Sequence, residues 1–225
     1  MMTIAQQLVN SAIKSITRTA CKVDDAALAR VPLHGPLILA ANHVNFLDIP
    51  LLYTHLLPRK IYSLVKEETW NNPVMARLFD MWNGIPIKRG ENDMAALSKA
   101  RQVLAEGNIL AIAPEGTRTR TGILQPAHPG LAILSQKSAV PILPMAIYGG
   151  EVIWDNLHRL ERTSFHIRVG TMVRLKPGVS VSDREIRQDV ADQVMYLIAA
   201  LLPEQYRGVY SDLTQQHLRY FDIVA

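Results

Sequence analysis

The run Pro36-Leu37-Ile38-Leu39-Ala40-Ala41-Asn42-His43-Val44-Asn45-Phe46-Leu47-Asp48 changes character at its midpoint. Six apolar residues end at Asn-His. A short apolar run bounded by polar residues predicts a buried strand that stops at a loop. Loops at strand ends are where layered α/β folds place their chemistry. Imidazole is the one side chain whose ordinary pKa suits proton abstraction near neutral pH. Asp48 follows His43 by five positions, which is not the spacing of helical neighbours. It reaches the ring only if the chain turns between them and Asp48 starts the next helix. There its carboxylate can accept the second ring N–H and fix the tautomer. The same pair also fits a helix-capping aspartate beside a strand-end histidine, and the two readings stay open on these residues alone.

Outward from this run the pattern alternates. Short β-rich segments at 37–41, 61–65, 85–88, 109–113 and 141–148 are interleaved with helical stretches at 47–57, 73–80, 93–105 and 131–136. Pro50 falls in the first turn of its helix, where proline is tolerated, and Gly107 ends the helix over 93–105. Later segments at 165–169 and 172–175 read as strands, and 185–202 reads as a long helix. Strands alternating with helices predict an α/β layered domain. Residues 149–164 are the least patterned and read as a surface excursion. The tail after Pro203 has no readable period. At the front, Ile4, Leu8, Val9, Ala12, Ile13, Ile16 and Ala20 share one half of a helical wheel, and Lys14, Arg18 and Lys22 step along the other. An apolar face beside a cationic stripe suits the surface of an anionic bilayer. It equally suits a terminal helix packed on the domain, and one helix can do both.

Composition narrows the classes. The chain has 225 residues, 48% of them apolar, enough to bury a core. Its single cysteine excludes an internal disulfide framework and a cysteine-based zinc site. The first residues show no basic region followed by a long apolar one, so no signal peptide is expected. No stretch approaches the ~18 apolar residues of a spanning helix. The net charge of +4 favours anionic partners such as phospholipids, phosphate esters or an acidic carrier protein. Nucleic acid is not expected: there is no dense Lys/Arg block and no helix-turn-helix pattern.

Three more constellations carry polar chemistry. Gly84-Ile85-Pro86-Ile87-Lys88-Arg89-Gly90 puts two cations at the end of a short strand, where an arginine can grip a phosphate with two N–H groups. Ala113-Pro114-Glu115-Gly116-Thr117-Arg118-Thr119 follows another buried strand. Gly116 permits close approach of backbone N–H groups to an oxygen-rich ligand; a turn with a surface ion pair is the plainer reading. Val140-Pro141-Ile142-Leu143-Pro144 is an apolar strand bracketed by prolines. It suits the border of an acyl pocket, and by its prolines alone it reads as an edge strand. No G-x-S-x-G elbow, P-loop, G-x-G-x-x-G or H-E-x-x-H is present, and the remaining histidines lack metal-ligand spacing.

In order and spacing these four blocks resemble those of the glycerolipid acyltransferases of the lysophosphatidic acid acyltransferase type: Asn-His-x-Ser-x-x-Asp, a Gly…Arg strand end, Phe-Pro-Glu-Gly-Thr-Arg-Ser and a Val-Pro-Ile-Val-Pro-type strand. The resemblance covers about residues 36–147. It departs at Asn45, where the family usually has Ser, at Ala113 for an aromatic residue, at Thr119 for Ser, and at His128-Pro129-Gly130 for Lys-x-Gly. It implies an α/β domain over 24–225, with a mixed central sheet flanked by helices, preceded by the amphipathic helix in 1–23. It implies His43 as general base and Asp48 as its orienting partner. Asn45, Arg89, Glu115, Gly116, Thr117 and Arg118 would bind the acceptor, Arg89 at its phosphate, and Pro141 would border the donor. The implied reaction moves a fatty acyl group from acyl-CoA or acyl-carrier protein to a lysophospholipid, with no metal and no other cofactor. The implied place is cytoplasmic, at the inner face of an anionic membrane. The same chemistry on another lysolipid or an amino-lipid, and a non-catalytic lipid- or carrier-binding module, are the alternatives.

Overall fold

The computed structural model describes residues 3–88 and 93–224. Helix α1 spans Ile4–Ala20, with Thr3 as N-cap accepting the Gln6 N–H while the Gln6 side chain reaches back to the cap. Strand β1 (Cys21–Asp24) follows without a break, so a division after residue 23 falls inside a strand. The heart of the sheet is β2 (Leu37–Ala41), α2 (Asp48–His55), β3 (Ile61–Lys66), α3 (Pro73–Met81), β4 (Gly84–Ile87), α4 (Met94–Ala105) and β5 (Ile109–Ile112). Helix α5 (Gly130–Ser138) leads to β6 (Ile142–Tyr148). Then come α6 (Ile153–His158), β7 (Thr163–Val169), β8 (Val173–Leu175), α7 (Arg184–Ala199) and a short final strand β9 (Phe221–Ile223). The segments over 149–164 and after Pro203, unreadable from pattern, hold α6 and a series of 3₁₀ turns ending in β9.

The strands form one mixed sheet in the order β1-β7-β6-β2-β5-β3-β4, with β8 and β9 attached beyond β6. Strand β2 lies at its centre, parallel to β5 on one side and β6 on the other. Every residue of β2 is buried, because helices cover both faces. Ile38 and Ala40 join a cluster with α4, α5 and α7; Leu37, Leu39 and Ala41 join one with α2 and the start of the chain.

The expectation that prolines confine β6 to an edge is corrected here: β6 is an interior strand. Its other neighbour changes at Pro144. Antiparallel β7 pairs as far as Met145↔Val169, and β8 takes over at Ile142↔Val173. Between them the Gly170 N–H donates to the Pro144 carbonyl at 2.8 Å. A residue without an N–H is tolerated where the ladder is handed from one strand to the next.

Helix α1 turns an unexpected face inward. Asn10 and Thr17 are buried, and Ile13 and Ala20 pack on the cluster beneath α2. The Asn10 side chain accepts the Trp82 indole N–H at 2.9 Å. The larger apolar residues Ile4, Leu8 and Ile16 point to solvent, each more than 65% exposed. No helix among the described residues is long and apolar enough to cross a membrane.

Candidate active site

The register of the central sheet builds the site. Strands β2 and β5 pair with Leu37 opposite Ile109 and Ala40 opposite Ile112. Three positions beyond the last of these pairs stand His43 and Glu115, so the first and third blocks leave the sheet side by side. The His43 N–H donates to Glu115 Oε1 at 3.1 Å. Further on, Thr119 N–H donates to the His43 carbonyl at 2.9 Å and Arg120 N–H to that of Val44 at 3.1 Å. Sheet-like pairing thus continues past the strand ends and gives the exposed loop of block three a fixed place beside the histidine.

Asp48 lies at the start of α2, as the five-residue spacing requires. Its Oδ2 accepts three bonds: from His43 Nδ1 at 2.8 Å, Val44 N–H at 2.7 Å and Asn45 N–H at 2.9 Å. A carboxylate only accepts, so Nδ1 carries the proton and the ring lone pair sits on Nε2. The Asp48 side chain is 3% exposed and that of His43 is 15% exposed. The orienting acid is sealed from water while the imidazole keeps an open edge.

Asn45 closes the turn at both ends of its side chain. Its Oδ1 accepts the Leu47 N–H at 2.7 Å and its Nδ2 donates to the Gly150 carbonyl at 2.7 Å. These bonds tie the His43–Asp48 turn to the segment after β6. A Cβ on Gly150 would fall on the Phe165 ring and 2.6 Å from Asn45 Nδ2, so only glycine permits this approach.

Glu115 is 1% exposed. Its second oxygen accepts the Gln125 N–H at 2.9 Å. Burial pushes its carboxyl up to about 7, against the pull of the Gln125 and His43 N–H groups, and the nearby charge of Asp48 pushes the same way. Gly116 takes φ +65°, and a Cβ there would meet the His128 ring at 2.6 Å. Thr117 and Arg118 are exposed, and among the described residues no acid pairs with Arg118. Lys88 is exposed at the end of β4, and Arg89 lies outside the described residues. The structure thus gathers His43, Asn45, Asp48, Glu115, Gly116, Thr117 and Arg118 at adjoining strand ends. Among the described residues no group of three acids, histidines or cysteines is arranged to hold a metal ion.

Pattern reading missed Asn42 as a brace. Its side chain donates to the Ile147 carbonyl and accepts the Ile147 N–H, both at 2.8 Å. The amide replaces the backbone pair lost as β2 departs from β6. A polar residue immediately after a fully apolar strand was the available signal. His128 against Gly116 was likewise missed, for want of any local cue.

Residues 22–148 match the Acyltransferase family, which is more than half of the chain. A 1-acyl-sn-glycerol-3-phosphate acyltransferase of Cocos nucifera is 32% identical over 121 residues, 52% of this chain and 39% of that protein. One of Bacillus subtilis is 25% identical over 119 residues, covering 53% and 59%. A lyso-ornithine lipid O-acyltransferase of Pseudomonas aeruginosa is 30% identical over 152 residues, covering 60% and 58%. The chain therefore spans between about two-fifths and three-fifths of these relatives' lengths. Among solved structures, the 1-acyl-sn-glycerophosphate acyltransferase PlsC of Thermotoga maritima superposes with a TM-score of 0.62 at 22% identity, over 88% of this chain and 80% of that one, and so shares the fold. With the strand-end His43–Asp48 pair and the Glu115 block inside the matched region, the chain belongs to the Acyltransferase family.

Proposed function

We propose that this protein moves a fatty acyl group from a thioester, acyl-CoA or acyl-carrier protein, to the hydroxyl of a lysophospholipid, most simply 1-acylglycerol 3-phosphate, giving phosphatidic acid. The observation that carries this is the His43 Nδ1–Asp48 Oδ2 bond of 2.8 Å, which leaves Nε2 as a base at an open edge. Nε2 takes the hydroxyl proton as the acceptor oxygen attacks the thioester carbonyl. The C–O bond forms, the C–S bond breaks, and the proton passes from the imidazolium to the departing thiolate. The buried Asp48 carboxylate stabilises the imidazolium between those events. The chain's single cysteine is no rival nucleophile: Cys21 is buried in β1 and burial pushes its thiol up. Orientation supplies the rest of the acceleration, since the thiolate of a thioester leaves readily.

Acceptor binding falls to the exposed Thr117 and Arg118, with Gly116 letting the backbone approach and Arg89 completing the phosphate grip. Glu115, whose two oxygens are held by His43 and Gln125, contributes by placing that loop. The reaction draws on no cofactor beyond the thioester co-substrate. The outward apolar face of α1, beside Lys14, Arg18 and Lys22, suits residence on an anionic bilayer at its cytoplasmic face, where both donors are found. Helix α1 then serves the membrane and the domain that begins with β1 the chemistry.

A second acceptor class has its own support. The 30% identical relative from Pseudomonas aeruginosa acts, by its name, on a lyso-ornithine lipid. Thiol release from acyl-CoA and from acyl-carrier protein, with lysophosphatidic acid or lyso-ornithine lipid present, separates the cases when the lipid product is weighed by mass spectrometry. Acceptor-dependent release with phosphatidic acid formed is the expected result. Release without acceptor means thioester hydrolysis, and no release with any lysolipid rejects the reaction.

A further inference from the structure

The segment that follows β6 carries apolar side chains that the fold leaves uncovered. Trp154 is 54% exposed, Leu157 49% and Leu160 93%. The Trp154 ring stacks on Phe46 with centroids 5.4 Å apart. Phe46 is itself exposed and stands three residues after His43, inside the catalytic turn. The Asn45–Gly150 bond is a second tie between the same two segments. These side chains together expose on the order of several hundred Å² of apolar surface, the scale that marks a contact site.

Leu160 is the sharpest case. Its φ of 56° lies in the left-handed region, which suits Gly or Asn and disfavours a branched side chain. Neither the backbone nor internal packing calls for leucine here. Two residues on, Arg162 lines a cavity of about 510 Å³ with Arg18, Lys22 and His166 and with one acid, Asp24. Asp24 pairs with Arg168 and Asp25 with Arg18, while among the described residues no acid pairs with Lys22 or Arg162. An apolar segment that leads within two residues into the wall of a net cationic cavity matches an anionic lipid surface.

We propose that residues 150–160, together with Phe46, form a second lipid contact that shares the cationic edge of α1, enters the surface of an anionic bilayer and sets the His43 turn against it. This rests on the acyltransferase reading for its purpose: the acceptor's head group then meets His43 while its tail stays in the bilayer. Asn45 and the Phe46–Trp154 stack carry the docking of α6 to the catalytic turn.

The test uses the full chain and vesicles of phosphatidylcholine with phosphatidylglycerol, some brominated along their chains. Bromolipid should quench the native fluorescence, and most of that quenching should vanish in Trp154→Phe. Leu160→Asn suits the backbone and should fold normally. It should weaken vesicle binding about five-fold or more and lower turnover of vesicle-borne acceptor by a similar factor. Turnover of a monomeric short-chain acceptor should not change. Equal quenching in native and Trp154→Phe proteins, or full vesicle affinity in Leu160→Asn, overturns the second contact and leaves the acyltransferase reading standing. Trp154 quenching without acyl transfer to either acceptor does the reverse.

Discussion

Three donors converge on one oxygen of Asp48, and that oxygen sets the histidine's tautomer. His43→Ala should lower kcat by ~10²–10⁴-fold, the span of a lost general base, with an unchanged circular dichroism spectrum; wild-type turnover in steady-state assays would sink the mechanism. Asp48→Asn can keep an oxygen where the three N–H groups converge, with its N–H₂ at the unpartnered Oδ1 position, but it removes the charge that stabilises the imidazolium, so kcat should fall by at least ~10²-fold. Glu115 makes a pH prediction. Its carboxyl titrates near 7 folded, against 4.5 ordinarily, so the folded state holds the extra proton between those values. The stability it contributes is complete below 4.5 and is lost as pH rises through 7, a change of about 3 kcal/mol. Urea midpoints measured across this window should fall with rising pH, and Glu115→Gln should flatten that slope.

At the level of elements, legibility followed distance along the chain. Strand β2 and the helix carrying Asp48 were readable because an apolar run and a first-turn proline are local signals. Strand β1 reads as the end of a helix because its partner among the described residues is the distant β7, with Cys21 opposite Thr163. Helix α6 spans only Ile153–His158 and shows apolar residues to solvent, so no amphipathic period announces it. The roles of Asn42 and Asn45 depend on Ile147 and Gly150, each 105 residues away, and no spacing rule reports them. Glycine at 150 is the most demanding of these contacts. Gly150→Ala should cost about 1–3 kcal/mol through overpacking against Phe165, seen as a lower thermal midpoint. It should also raise the mobility of the catalytic turn, reported by faster amide exchange at Asn45.

Over the whole molecule, the outward face of α1 and the net positive charge predict binding that weakens with salt. Affinity for anionic vesicles should fall several-fold between low and physiological ionic strength. Ile4→Ser with Leu8→Ser should reduce it further, with little effect on the thermal midpoint, because both side chains are exposed. A vesicle affinity indifferent to both changes would remove α1 from the interface.

The place of β2 between β5 and β6 has a kinetic consequence. His43 depends on Glu115 and Asn45 on Gly150, partners 72 and 105 residues distant, so no fragment shorter than the central sheet can assemble the base. Closing such long loops is slow, because their entropy is lost before the contacts form. Catalytic competence should therefore be the last property to return after dilution from denaturant, trailing helix recovery, and enzyme activity becomes a direct clock for completion of the sheet.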